Sequence, residues 1–161
     1  MAKRDAVDRF RDAATAVSLE IEVTRHPEGT KTAADAAQAI GCDVAQIVKS
    51  LVFVAEADGE PVLALTSGAN RVDTAKLAAH VGGSVRRANA NEVRDATGFA
   101  IGGTPPFGHP RPLRTLVDPL LVSFPTVWAA AGTPDSVFPA RPNDLVRITG
   151  GQVVDVTEAD R

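Results

Sequence analysis

Apolar residues recur along this chain at two spacings, and the switches between them divide it into helices and strands. Val7, Phe10, Ala14 and Val17 lie three and four residues apart within 5–17, so they share one helical face. Residues 19–24 then read as a short strand ending at the turn Arg25-His26-Pro27-Glu28-Gly29. Thr32 is placed to cap a second helix. Asp35, three residues on, can complete a capping box, and Gly41 supplies the stop.

Two β-rich runs follow, 47–55 and 61–66, separated by a turn containing Asp58-Gly59, which predicts a hairpin. Asp73 can cap a third helix through Val81, closed by Gly82-Gly83. A short strand near Val85 and a helix over 91–97 come next, then a turn-rich stretch, 98–112. That loop holds four glycines and four prolines, a composition found in functional or mobile loops. Residues 115–117 and 126–130 predict further strands. The segment 145–156 reads either as a hairpin about Gly150-Gly151 or as a helix followed by one strand. Pro142 ahead of Asn143-Asp144 favours the helix. Helices and strands intermix without a repeat or linker, so the expectation is one α+β domain, 1–161, built on a mixed sheet.

Composition narrows the setting. Hydrophobic residues make up 44% of the 161, enough for one ordinary core. The single cysteine, Cys42, cannot form an internal disulfide. The opening MAKRDAVDRFRDAA has no apolar core of a signal sequence, and no window approaches ~18 apolar residues. A soluble cytoplasmic protein is expected, with no membrane partner. A net charge of −3 argues against holding nucleic acid by bulk electrostatics, and no DNA partner is expected. Arg86, Arg87 and Arg94 still form a local basic group, as do Arg111 and Arg114.

The chemistry centres on Lys49. In a strand over 47–55, Ile47, Lys49, Leu51 and Phe53 share one face, while Val48, Ser50, Val52 and Val54 share the other. Neither face is polar, so the lysine has no obvious solvated side. Either it snorkels at the strand's end, or something anionic or polar meets it. The loop Gly98-Phe99-Ala100-Ile101-Gly102-Gly103-Thr104-Pro105-Pro106-Phe107-Gly108-His109 is the second feature. Its glycines let backbone approach a ligand, its prolines stiffen it, and its N–H groups can hold a carbonyl oxygen or an anion. An ordinary rigid turn has the same composition. No phosphate-binding GxxxxGK[ST] or GxGxxG is present, and no G-x-S-x-G. His26, His80 and His109 are dispersed without metal-ligand spacing; His80 falls within a helix and reads as structural. Cys42 reads as a packed small residue.

In order and spacing these segments resemble the YbaK/ProX family, whose superfamily includes the editing domain inserted in bacterial prolyl-tRNA synthetases. The likeness runs from about 22 to 157. It rests on Thr24-Arg25-His26-Pro27, Thr32-Ala33-Ala34-Asp35-Ala36-Ala37, Ile47-Val48-Lys49-Ser50-Leu51-Val52-Phe53 and Asn70-Arg71-Val72-Asp73. Gly102-Gly103-Thr104-Pro105-Pro106-Phe107-Gly108, Asn143-Asp144-Leu145-Val146-Arg147-Ile148-Thr149 and Val153-Val154-Asp155-Val156 complete it. The resemblance implies a curved, barrel-like mixed sheet with flanking helices. It also implies deacylation of mischarged aminoacyl-tRNA without metal or other cofactor, acting in trans. Lys49 would be the catalytic cation, and His26, Asn70, Gly102, Gly103, Thr104, Pro106, Phe107 and Gly108 the substrate-binding residues. The implied partners are mischarged tRNA, in the first instance tRNA(Pro), and prolyl-tRNA synthetase. A non-catalytic module that binds tRNA or a synthetase is the alternative. Two departures bear on specificity: Pro105 stands where many relatives have serine, and 132–139 lacks the histidine of the alanine-editing branch.

Overall fold

Asp5 opens the first helix, α1 (Ala6–Ala16), by a reciprocal capping box with Asp8, and α1 buries Val7, Phe10 and Ala14 as their spacing predicts. The computed structural model describes residues 5–26 and 32–159, so the Pro27-Glu28-Gly29 part of the expected turn lies outside the described residues. The strand expected over 19–24 shrinks to β1 (Thr24–Arg25). Leu19, Ile21 and Val23 still pack against the core. The ladder with β7 takes in only Thr24 opposite Val137 and Arg25 opposite Ser136.

Helix α2 (Ala33–Ile40) is capped by the Thr32 side chain on the Asp35 N–H and ends on left-handed Gly41. A 3-10 turn over Val44–Gln46 leads into β2 (Val48–Ala55), which pairs antiparallel with β3 (Pro61–Ser67). Asp73 caps α3 (Thr74–Val81). After β4 (Val85–Arg87), Asn89 caps α4 (Ala90–Thr97). Beyond the 98–112 loop come β5 (Arg114–Val117), β6 (Val127–Ala130), β7 (Ser136–Ala140), α5 (Pro142–Thr149) and β8 (Gln152–Val153). Of the two C-terminal alternatives, helix then strand is the one adopted, with Pro142 at its start.

The expected α+β fold on a mixed sheet is found, but the sheet does not close into the barrel-like form the resemblance implied. Among the described residues the strands form an open mixed sheet, β4-β2-β3-β5-β8, and a separate antiparallel sheet, β1-β7-β6. An isolated parallel bridge, Ile47 to Trp128, joins them. The pleat of β2 sorts its side chains as the alternation predicts. Val48, Val52 and Val54 join Leu63, Leu65, Val127 and Phe138 in one core cluster. Phe53 joins Val62, Ala64, Leu77, Leu116 and Val156 in another.

One detail of pairing opens a cleft. β4 meets β2 only at Phe53, Val54 and Ala55, whereas the bridge to β6 lies at Ile47. Ala88, just past β4, still donates its N–H to the Val52 carbonyl at 3.0 Å, and between Val52 and Ile47 the edge of β2 is paired with neither strand.

Candidate active site

The open stretch of β2 forms the floor of a cavity of about 260 Å³. Lys49, Ser50 and Val52 line it, with Ala33 and Ala36 of α2 on one side and Trp128 of β6 on another. Arg87 lines it from β4, and Gly102 and Thr104 from the glycine-proline loop. The lysine and the loop singled out in the sequence therefore share one cleft.

Lys49 is half-buried, and its Nζ donates to the backbone carbonyl of Asn70 at 2.5 Å. Burial pushes the ammonium below the ordinary lysine range, and the positive charges of Arg87 and Arg71 push it further. Asp118 alone pulls the other way. Asp118 is 2% exposed and accepts from the Asn70 side chain at 2.9 Å. Asn70 is thus spent on holding Lys49 and Asp118, and it is not among the residues lining the cleft.

The loop divides. Its first half turns toward the cleft, held by the Ala100 carbonyl, which accepts from the Gly103 N–H and the Thr104 hydroxyl, each at 3.0 Å. Gly102 takes φ +87, a left-handed angle that glycine adopts without steric cost. At Gly103 a Cβ would meet the Gly132 carbonyl oxygen and Thr133 Cα, both at 2.8 Å, so only glycine lets these two backbone segments touch. Its N–H is already engaged with Ala100, which leaves it no donor for a ligand.

The second half turns away. Phe107 is buried, its ring 4.9 Å from that of Phe10 and 6.3 Å from that of Phe138. A Cβ at Gly108 would meet Ala13 of α1 at 2.9 Å. Pro106, Phe107 and Gly108 border a different groove, beside α1 and Ile148 of α5. Phe107 and Gly108 lie against α1, and none of these three, read from the sequence as substrate-binding, lines the Lys49 cleft. His26 is likewise not among the lining residues; its N–H donates to the Asp135 carbonyl at 2.8 Å, next to the wall formed by Pro134 and Ser136. His109 donates from Nε2 to the Pro105 carbonyl, and burial holds its pKa below the ordinary value.

The basic groups also divide. Arg86 makes two 2.7 Å bonds to Glu92 and holds that carboxyl down to about 2. Arg114 reaches the last carbonyls of α3, those of His80 and Val81. Arg87 is the member of the 86/87/94 group that lines the cleft. The Cys42 thiol is pushed up by burial and by Asp43, which disfavours the nucleophilic thiolate. Among the described residues no group of His, Cys, Asp and Glu is arranged to hold a metal ion. No helix there is long and apolar enough to cross a membrane.

Sequence reasoning missed Asp118, Trp128 and the α2 wall. Asp118 follows an apolar strand and looks like an ordinary strand-end residue; only the fold reveals its burial.

Comparison with known proteins gives a consistent set. The sequence profile of the family described as aminoacyl-tRNA editing domain matches residues 27–148. The uncharacterized protein YwhH of Bacillus subtilis is 33% identical over 134 residues, covering 83% of this chain and 85% of that protein. The multifunctional Ser/Thr-tRNA deacylase ProXp-y of Escherichia coli is 33% identical over 119 residues, 71% of each chain. A crystal structure of a protein proposed to be a trans-editing enzyme for prolyl tRNA synthetase superposes with a TM-score of 0.91. It is 46% identical, and the match covers 98% of this chain and 100% of that one.

Proposed function

Because this chain belongs to the aminoacyl-tRNA editing domain family and is a deacylase of mischarged aminoacyl-tRNA, we propose that the Lys49 cleft is where the ester is held and hydrolysed. The observation that carries this reading is the opening of Lys49 and the 102–104 turn onto one cavity.

An aminoacyl ester is already activated, so its hydrolysis needs placement and charge stabilisation more than a strong nucleophile. The Lys49 ammonium supplies the positive charge near the ester carbonyl or the terminal ribose. Gly102 brings bare backbone to the same space, and water is the nucleophile. Arg87, exposed at the rim, meets the phosphate backbone of the tRNA end. His26 and Asn70 support the site from beside it.

The substrate is tRNA(Pro) carrying a small non-cognate amino acid, reached in the cytoplasm as one editing domain working with prolyl-tRNA synthetase. The likeness to a Ser/Thr-tRNA deacylase favours a hydroxyl-bearing amino acid. So does Ser50, a lining residue whose buried Oγ has no hydrogen-bond partner. Rotation about its χ1 offers that hydroxyl to a polar side chain in the cleft.

A panel of tRNA(Pro) charged separately with alanine, cysteine, serine and threonine tests the proposal. Release of serine or threonine ahead of the others is expected. Tight binding of every charged tRNA with no release would instead make the chain a binding module.

A further inference from the structure

We propose that Asp118 is a positioning residue for deacylation: through Asn70 it fixes the carbonyl that holds the Lys49 ammonium in the cleft. This rests on the reading of Lys49 as the catalytic cation.

Three donors converge on the Asp118 carboxylate. Its Oδ2 accepts from the Ser67 N–H at 3.0 Å and from Asn70 Nδ2 at 2.9 Å; its Oδ1 accepts from the Leu120 N–H at 2.9 Å. Its own N–H donates to the Leu65 carbonyl at 2.9 Å, so the residue is tied to the end of β3 by main chain as well. An ionised carboxylate only accepts, which suits three donors; an amide offers a single acceptor oxygen and would turn an N–H toward one of them. Ser67 and Asn70 are the two ends of one turn, closed by an Asn70 N–H to Ser67 carbonyl bond of 3.0 Å. Asp118 therefore clamps both ends of the turn whose carbonyl receives Lys49 Nζ.

Charge makes the clamp matter. The positive charges of Arg87 on β4 and Arg71 in the β3–α3 connection oppose the Lys49 proton, and Asp118 is the one acidic group that favours it. A buried carboxylate without an ion-pair partner is costly. Here it is offset by hydrogen bonds and by serving a nearby cation.

The test reads Lys49 directly. The chain has four lysines, so the full-length protein labelled at lysine Cε gives few NMR resonances, and Lys49→Arg assigns the one that matters. Titration of wild type, Asp118→Asn and Asn70→Ala is done without tRNA. We expect the Lys49 midpoint to move to lower pH in Asp118→Asn, and the alkaline limb of kcat/KM to move with it. Beyond the new midpoint the rate falls about ten-fold for each pH unit. Asn70→Ala breaks the side-chain link while keeping the backbone carbonyl, and shifts the midpoint the same way; it carries the test if Asp118→Asn does not fold. An unmoved Lys49 midpoint in a folded variant overturns the proposal, even where activity drops. Wild-type protein that releases no amino acid would sink the deacylase reading instead, with the titration unaffected.

Discussion

Lys49 on β2 donates its ammonium to the carbonyl of Asn70, in the turn that leaves β3. This bond keeps a half-buried cation at the edge of a cleft whose walls mix apolar residues such as Ile47, Val52 and Trp128 with Thr32, Ser50 and Thr104. It also explains how the chain tolerates a lysine on a strand with no polar face. The charge is met by the Asn70 carbonyl, with the Asp118 carboxylate held behind it by the Asn70 side chain, and Lys49 still lines the cleft.

The alkaline limb of activity follows from that setting. Burial, then Arg87 and Arg71, push the Lys49 pKa down. A reaction that needs the ammonium is fully active below the shifted pKa and is lost as pH rises through it. A kcat/KM profile, corrected for spontaneous ester hydrolysis, should therefore fall at a pH below that of an ordinary lysine. Lys49→Arg, whose charge persists throughout, should lack this limb.

Arg86 and Arg87 are neighbours with different duties. Arg87→Ala should weaken tRNA binding and reduce the slope of log affinity against log salt by about one phosphate contact. Arg86→Ala should leave tRNA binding unchanged and affect stability alone. Because the Glu92 carboxyl is held down to about 2, its pairing stabilises the fold fully above the ordinary carboxylate pKa and is lost as pH falls from there through about 2. The Tm difference between wild type and Arg86→Ala should be present at about pH 6 and vanish near pH 2.

Gly103→Ala places a Cβ 2.8 Å from backbone atoms of both Gly132 and Thr133, and backbone has little freedom to retreat. Overpacking of this kind costs about 1–3 kcal/mol. Urea unfolding should show that loss together with reduced deacylation, since the same contact sets the 102–104 turn. Gly83→Ala, with nothing within 4 Å and no positive φ, should change neither.

Thr66 lies opposite Lys49 in the β2–β3 ladder, is fully buried, and its Oγ1 has no hydrogen-bond partner. Thr66→Val replaces an unsatisfied hydroxyl with a methyl of similar shape. It should raise stability by about 1 kcal/mol in urea unfolding.

Much of this was legible because single positions carried local physics. Val7, Phe10 and Ala14 announced the buried face of α1, and Thr32, Asp73 and Pro142 marked helix starts by capping chemistry alone. Lys49 stood out because alternation left it no polar face. β7 was missed because Gly132, Pro134 and Pro139 read as turn residues. Yet Ser136 accepts from the N–H of Ala131, the residue just past β6, so by alternation Pro139 directs its missing donor away from β6. On that side β1 reaches only Val137, and no ladder bond is lost. The functional loop was legible as a unit but not as two halves. Nothing in its composition says that Phe107 closes a ring cluster with Phe10 and Phe138 while Gly102 lines the Lys49 cleft.

The electrostatic role proposed for the Lys49 ammonium in ester hydrolysis is read out most directly by single-turnover deacylation of seryl-tRNA(Pro) with Lys49→Ala. With circular dichroism and Tm confirming a folded variant, the rate should fall by about 10²–10³ relative to wild type. A folded Lys49→Ala protein that releases serine at the wild-type rate would rule out that role for Lys49.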